Sequence, residues 1–226
     1  MFRSIILTLA AIAILSIGLP EAEATPFRNL DFEEAVISQS PPAFAVPASE
    51  ALPFWTCNNY WPGYVIYDEM ALDGTFISVH DSQSQFVHPI EGNYSVMLQS
   101  DVSFIPPNTY TMVNAFIAQT GDIPGDAKWL RFQSYGNYDL LVVSLNGVAI
   151  PMSEISADGD VKTFAGDISA FANTTAELRF ELLKPSYEFP FVVLDGISVP
   201  EPSTFALLGI GATSLLLNTW RRRITA

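Results

Sequence analysis

Few side chains in this 226-residue chain could do acid–base or nucleophilic chemistry. Neither of its two histidines, His80 and His88, has a cysteine or a second histidine at metal-binding spacing, and no Gly-x-Ser-x-Gly motif is present. His80 next to Asp81 could belong to a catalytic pair, but a histidine in a surface loop is the favoured interpretation. The 24 acidic residues could supply a glycosidase pair, yet the sequence does not show which two lie about 5 to 9.5 Å apart. We therefore expect a protein that is not an enzyme.

A cluster of aromatic residues could instead bind a ligand. It consists of Phe54, Trp55, Tyr60, Trp61, Tyr64 and Tyr67. Sugar rings stack on exposed aromatic faces, so Trp55 and Trp61 are the candidate glycan-binding residues. The alternative is that these rings pack in the core, because tryptophan is mostly buried in folded proteins.

Short strands must position these residues. Residues 176–182 alternate between apolar and charged side chains, with Leu178 and Phe180 on one face and Glu177 and Arg179 on the other. This pattern predicts a half-buried antiparallel strand. Similar apolar runs predict strands at residues 94–99, 110–119, 129–134, 138–145 and 189–199.

Turn signals separate these runs. Gly136-Asn137 and Asn146-Gly147 predict tight turns, and residues 167–172 predict a single helical turn capped by Asp167. The proline-rich stretch 41–53 is the longest predicted loop. The whole pattern predicts an all-β fold over residues 25–199, an antiparallel β-sandwich or jelly roll with little helix.

The first 24 residues have the pattern of a secretory signal peptide. Arg3 precedes an apolar run at residues 5–19, and Ala22 and Ala24 form a small-residue cleavage site. We expect the general secretion machinery to export the chain and signal peptidase to cut before Thr25. In an oxidising compartment the lone Cys57 could bond to another molecule, but a buried thiol is the favoured interpretation.

A second apolar segment lies near the C-terminus. Residues 203–220 contain no charged side chain, and Arg221, Arg222 and Arg223 follow at once. At about 1.5 Å per residue this helix would be about 27 Å long, close to the thickness of the hydrocarbon core of a membrane. The sequence predicts a transmembrane helix that leaves the arginines in the cytoplasm and the body outside.

Pro200, Glu201 and Pro202 lie between the body and this helix. Two prolines one residue apart keep the backbone extended and accessible. The tripeptide, the apolar helix and the arginine cluster, in this order, resemble the PEP-CTERM sorting signal of Gram-negative bacteria that produce exopolysaccharide. The resemblance implies that exosortase, a membrane protease-transpeptidase, recognises the tripeptide and processes the protein near it.

The charge of the chain restricts its partners. Ten basic and 24 acidic residues give a net charge of -14. Nucleic acid is excluded as a partner, because a protein of this charge repels phosphate backbones. For the same reason, any glycan binding is expected to depend on aromatic stacking rather than on charge.

The two ends of the body resemble the first and last strands of galactose-binding-like jelly rolls, a group that includes many carbohydrate-binding modules. Residues 29–33 and 193–199 carry this resemblance. A bulge at Asp195-Gly196 would turn both Leu194 and Ile197 toward the core. The resemblance also implies a structural calcium ion near Glu33 and Asp195, which would offset the repulsion between the two carboxylates. No other cofactor is expected.

Together these features predict an exported protein, held first in the cytoplasmic membrane and then placed at the cell surface or in the extracellular matrix. Its parts would be a signal peptide (residues 1–24), a β-sandwich (residues 25–199) and a sorting segment (residues 200–226). We expect it to associate with exopolysaccharide, in a glycan-binding or structural role. The alternatives are a glycan-active hydrolase of the envelope and a matrix protein that contacts only other proteins.

Overall fold

The computed structural model describes residues 25–37, 45–59, 62–68, 77–85, 87–105, 109–184 and 189–199. The predicted signal peptide with Ala22 and Ala24, the candidate Trp61 and the predicted sorting segment from Pro200 onward lie outside these ranges. No helix within them is long and apolar enough to cross a membrane.

The described residues form 15 short strands. The strands are β1 Ala45–Pro47, β2 Thr56–Cys57, β3 Tyr64–Tyr67, β4 Ile77–His80, β5 Ser95–Gln99, β6 Asp101–Ile105, β7 Thr109–Val113, β8 Ala115–Asp122, β9 Trp129–Gly136, β10 Leu141–Leu145, β11 Val148–Ala149, β12 Ser153–Asp158, β13 Val161–Asp167, β14 Thr175–Leu182 and β15 Phe191–Ser198. In the described ranges, helix is limited to α1 (Ala48–Ala51) and to two 3-10 turns, Tyr138–Leu140 and Ser169–Phe171. The prediction of an all-β body with little helix is confirmed.

Two sheets make up the sandwich. The larger has eight strands in the order β1-β3-β4-β5-β15-β9-β13-β12, and the smaller has five in the order β11-β10-β14-β8-β2. Strands β6 and β7 pair as a separate hairpin. All described pairs are antiparallel except β3 and β4, which run parallel. The prediction of a purely antiparallel sheet is wrong for that pair.

The inner faces of the two sheets meet in one core. On β14 the predicted alternation holds, because Leu178 and Phe180 are fully buried while Glu177 is exposed. The ring of Phe132 on β9 meets that of Phe180 edge to face, with centroids 5.3 Å apart, and stacks on Phe164 of β13 at 5.2 Å. The contact between Phe132 and Phe180 joins the larger sheet to the smaller one.

The predicted bulge in the last strand is present. The pairing register of β15 with β9 shifts between Asp195 and Ser198, and Gly196 has a φ of +54°. Glycine adopts this left-handed conformation without a steric penalty. Leu194 and Ile197 are both buried as a result, at 0% and 4% exposure.

Local turn chemistry is confirmed at two further positions. Asn146 and Gly147 both have positive φ and connect β10 to β11 as a tight hairpin. The Asp167 carboxylate accepts a hydrogen bond from the Ser169 N–H at 2.8 Å and starts a 3-10 turn within the predicted helical turn.

Two predictions about the N-terminal half are wrong. Residues 29–33 do not form a strand: they make turns in which Asn29 and Phe32 have positive φ. The predicted loop 41–53 contains β1 and α1 in its second half. Pro47 is the last residue of β1, which pairs with β3 at the edge of the larger sheet, a position that proline tolerates.

Candidate binding face and the predicted site residues

The candidate glycan-binding residue Trp55 lies in the core. It is 5% exposed, its ring packs near Phe32 and Phe180 at centroid distances of 5.8 and 6.4 Å, and its Nε1–H donates to the backbone oxygen of Asn29 at 2.9 Å. This burial corrects the glycan-stacking role predicted for Trp55, because a covered indole has no free face for a sugar ring. Packing in the core, the alternative interpretation, is what the structure has at this position.

A different tryptophan, Trp129 at the start of β9, is 45% exposed. Leu130 and Phe132 point into the core at 1% and 2% exposure, so Trp129 and Arg131 share the outer face of the larger sheet. Sequence reasoning identified this strand but missed its outer face. The alternation in residues 129–133 could have indicated this face, because Leu130 and Phe132 are expected to point into the core and Trp129 therefore away from it.

Polar side chains surround Trp129 and Arg131 on this surface. The strand register places Gln133 further along β9, Thr163 opposite Gln133 on β13, and Ser198 opposite Arg131 on β15. We call this surface the β9 face; it consists of Trp129, Arg131, Gln133, Thr163 and Ser198. It combines an open aromatic ring with guanidinium, amide and hydroxyl groups.

The chain segment 87–95 bounds the β9 face at one end. Val87 and Ile90 of this segment pack on Met97 and Val193, which lie on the outer face of the same sheet. The Gln133 amide approaches the Glu91 carboxylate at 3.5 Å. The open part of the face therefore runs from Gln133 to Trp129.

Glu33 binds the same segment from the N-terminal side. Its Oε1 accepts hydrogen bonds from the backbone N–H groups of Asn93 and Tyr94 at 2.6 and 3.0 Å, and its Oε2 accepts one from the Asn93 side chain at 2.6 Å. Gly92 allows this close approach, since a Cβ there would overlap the carboxylate.

Asp195 binds the segment from the last strand. Its Oδ2 accepts hydrogen bonds from the Ser95 hydroxyl at 2.6 Å and the Glu91 N–H at 3.1 Å, and its Oδ1 accepts one from the Gly196 N–H at 2.7 Å. The residue is fully buried, and this burial raises the pKa of its carboxyl to about 6.

The structure thus brings the two predicted calcium ligands to one short segment, but in an arrangement that does not fit the ion. Calcium takes six to eight oxygen ligands, whereas the groups around Glu33 and Asp195 are N–H and O–H donors. The described part of the chain contains no group of three or more acidic, histidine or cysteine side chains that could hold a metal. Calcium binding here stays a prediction and would require this segment to rearrange.

His80 is fully buried in β4, so the interpretation of a surface-loop histidine is wrong. Its Nε2 and Nδ1 each lie 2.8 Å from a serine hydroxyl, those of Ser78 and Ser84. Burial lowers the pKa of His80 to about 4, so the ring is neutral at physiological pH. Both serines are buried as well, which gives the group a structural role.

Asp68 and Asp81 form a hydrogen-bonded carboxyl pair near the end of β4. The Tyr67 hydroxyl donates to Asp81 at 2.6 Å, and the Asp81 N–H donates to Asp68 at 2.9 Å. Burial raises the pKa of Asp68 to about 6.

Cys57 has the properties of a hidden thiol. Its side chain is partly buried, and the Asn59 amide donates to Sγ at 2.9 Å. Burial raises its pKa to about 11, so the reactive thiolate is scarce at neutral pH.

A cleft of about 500 Å³ opens between the two sheets, near β10 and β13. Its volume suits a small molecule. However, its aromatic floor residues Phe132 and Phe164 are only 2% and 8% exposed, and Tyr138 is already covered by the Lys162 ammonium, 4.4 Å from the ring centre. The β9 face is therefore the better candidate for binding a sugar ring.

The C-terminal residues match a known family. Residues 198–223 match the PEP-CTERM protein-sorting motif. This chain carries a PEP-CTERM sorting signal. The matched range contains Pro200, Glu201, Pro202 and Arg221 to Arg223, the residues that the sequence resemblance pointed to. The protein is therefore an exported one with a C-terminal sorting signal, and exosortase is its processing partner.

The body is distantly similar to solved structures. No curated protein matches the chain. Among solved structures, TmCBM61 in complex with β-1,4-galactotriose is 13% identical with a TM-score of 0.41, over 79% of this chain and 99% of that one. The K1 cleaved adhesin domain of Lys-gingipain from Porphyromonas gingivalis W83 is 14% identical with a TM-score of 0.40, over 70% and 94%.

The buried imidazole of His80 should make stability depend on pH. An unfolded histidine titrates at about 6.5, so between about pH 6.5 and pH 4 the unfolded chain binds a proton that the folded chain does not. Lowering the pH from 7.5 to 5 should cost about 2 kcal/mol of unfolding free energy through this residue. His80→Gln should remove this contribution from urea unfolding curves. Asp68, whose pKa is raised, changes the unfolding free energy with pH in the opposite direction. This contribution is common to wild type and variant, so it cancels in the difference between their unfolding free energies. His88→Gln, at an exposed position, is the control, and equal pH dependence in wild type and His80→Gln would contradict the assignment.

Glu33 should stabilise the fold without a metal. Glu33→Gln replaces the charged acceptor of two backbone N–H groups and should cost about 1 to 2 kcal/mol, a fall in melting temperature of roughly 4 °C for a domain of this size. The loss should be the same in EDTA and in millimolar calcium. Glu34→Gln, which changes an exposed neighbour, should have a much smaller effect. A wild-type melting temperature that rises with calcium, with the rise lost in Glu33→Gln, would instead support the predicted calcium site.

Proposed function

We propose that this protein is a cell-surface or extracellular-matrix component whose β-sandwich binds a polysaccharide through the β9 face. The signal peptide (residues 1–24) directs export, and the body (residues 25–199) remains outside the cytoplasmic membrane. The helix over residues 203–220 holds the body at the membrane until exosortase cuts the chain near the tripeptide. The released body then associates with exopolysaccharide.

The composition of the sorting segment supports a transient anchor. A permanent anchor needs only an apolar helix and a basic end, whereas here Pro200, Glu201 and Pro202 precede the helix. The prolines keep this stretch extended and prevent the helix from growing outward, so its peptide bonds stay open to a protease. Glu201 supplies the one charge that a basic recognition pocket would bind.

The exposure of Trp129 is the observation that supports glycan binding. Its indole is 45% exposed on a strand whose other face is packed into the core, so the backbone that carries it is held rigidly. The exposed indole can stack on the apolar C–H face of a sugar ring, and the polar side chains beside it can hydrogen-bond to the hydroxyl groups at the edge of that ring. A purely structural role becomes the better interpretation if this surface binds no glycan.

Trp129→Ala should abolish or weaken binding to polysaccharide by at least about tenfold, the loss expected for one aromatic stacking contact. The measurement is a polysaccharide array probed with the full-length protein in a non-ionic detergent. Tyr64→Ala is the matched control, because Tyr64 is an equally exposed aromatic, 48%, on β3 of the same sheet. Absence of binding to every polysaccharide, or unchanged binding by a folded Trp129→Ala variant, would contradict the proposed function.

Replacing Pro200, Glu201 and Pro202 by alanines should leave export unchanged but prevent release. The full-length chain should then accumulate in the cytoplasmic membrane, because the helix remains and the recognised tripeptide is gone. Mass spectrometry of the released wild-type protein should place its C-terminus near residues 200–203. Released protein that still contains Arg221 to Arg223, or normal release of the alanine variant, would rule out this processing site.

A further inference from the structure

The basic residues of the body are few, and most are already engaged. Six of the ten basic residues of the chain lie between residues 25 and 199. Three of these six form ion pairs: Arg28 with Glu34 at 2.7 Å, Lys162 with Glu154 at 2.8 Å and Arg179 with Glu181 at 3.1 Å. A fourth, Lys184, is buried, with its ammonium 4.4 Å from the centre of the Phe189 ring.

The two remaining basic residues, Lys128 and Arg131, are next to Trp129 in the sequence. Both are exposed, and within the described ranges neither side chain has an ion pair or a hydrogen bond. Arg131 shares the outer face of β9 with Trp129, since the two are separated by one residue in a regular strand. In a body with many more acidic than basic residues, an unpaired guanidinium thus lies on the same face as the one described tryptophan that is exposed.

A carboxylate is close to this pair but does not neutralise it. Asp167 lies opposite Trp129 on β13, diagonal to Arg131. Its Oδ1 accepts a hydrogen bond from the Ser169 N–H, and Arg131 forms no ion pair with it. The guanidinium of Arg131 is therefore free to bind an external anion with its planar set of donors.

We propose that the β9 face selects an anionic polysaccharide, with one sugar ring stacked on Trp129 and an acidic group of the chain bound by Arg131. This inference rests on the proposed function, because it names the class of glycan that the same surface binds. A carboxylate on a uronic acid and a sulfate ester share the required chemistry, a planar or tetrahedral oxyanion that accepts paired N–H donors.

The net charge of the chain does not prevent such binding. Charges farther away than about 8 Å are largely screened at physiological ionic strength, whereas a contact between Arg131 and a carboxylate acts over about 3 Å. The acidic surfaces elsewhere on the body lower the rate of approach at low salt. The contact with Arg131 decides which glycan stays bound.

The test compares a polysaccharide that carries carboxylates with the same polysaccharide after its carboxylates are neutralised, and adds a sulfated polysaccharide. Full-length protein in a non-ionic detergent is titrated with polygalacturonate, with its fully methyl-esterified form and with dextran sulfate. We expect at least about tenfold tighter binding of polygalacturonate than of the ester, the ratio for one charge-assisted hydrogen-bonded contact. Tighter binding of dextran sulfate than of polygalacturonate, with the same dependence on Arg131, would identify sulfate as the anion.

Variants assign the preference to Arg131. Arg131→Gln should lose about tenfold on polygalacturonate and nothing on the ester, while Arg131→Lys should fall between the two because it keeps the charge but loses the planar donors. Arg28→Gln removes an equal charge from an exposed position elsewhere and should bind like the wild type.

The outcomes separate this inference from the proposed function. Equal affinity for acid and ester, with both lost in Trp129→Ala, would overturn the anionic preference and leave glycan binding by the β9 face intact. Unchanged polygalacturonate binding by a folded Arg131→Gln variant would also overturn the preference. If no glycan binds, or if Trp129→Ala has no effect, the proposed function fails and this inference fails with it.

Discussion

The packing of β9 against the smaller sheet is the constraint on which the rest of the molecule depends. Phe132 meets Phe180 across the core, with Leu130 buried beside it. Because successive side chains of a strand point to opposite faces, burying these two residues forces Trp129 and Arg131 into solvent. A slip of one residue in the register of β9 would move Trp129 and Arg131 into the core and would expose Leu130 and Phe132 to solvent. The same contact therefore holds the sandwich together and presents the candidate binding face.

A second constraint ties the two ends of the body to the segment 91–95. Glu33 comes from the N-terminal segment and Asp195 from the last strand, and their carboxylates accept hydrogen bonds from this segment. A buried carboxylate is costly unless its oxygens are satisfied, so the donors of this segment are what allow Asp195 to be buried. The bulge at Gly196 orients the Asp195 side chain toward these donors. This arrangement also fixes the position of the segment that bounds the β9 face beside Gln133.

The body and the sorting segment have separate functions, and the sorting segment affects the body only by determining where it is located. The sorting signal marks an exported protein, and polysaccharide is the partner proposed for its body. The acidic surface suits such an environment, since it keeps the protein soluble and unattached to phosphate-rich polymers. Under the proposed function, Arg131 would give the β9 face its selectivity, because it is the basic side chain without an ion pair that lies on the same described face as an exposed tryptophan.

Features that depend on neighbouring residues or on short local patterns could be predicted from the sequence. Turn chemistry and period-two alternation act within a few residues. They were therefore sufficient to predict the strands around residues 129–134 and 176–182, the Asn146-Gly147 hairpin and the bulge at Gly196, and a short motif was sufficient to predict the sorting signal. The tertiary structure alone decided which aromatic rings are covered. Trp55 and Trp129 are the same residue type, so hydrophobicity does not distinguish them. Packing against Phe32 of the N-terminal turns and Phe180 of β14 buries Trp55, whereas Trp129 lies on the outer face of β9 and is exposed. The same holds for His80 and for the unpaired state of Arg131, because burial and ion pairing depend on strands that are distant in the sequence.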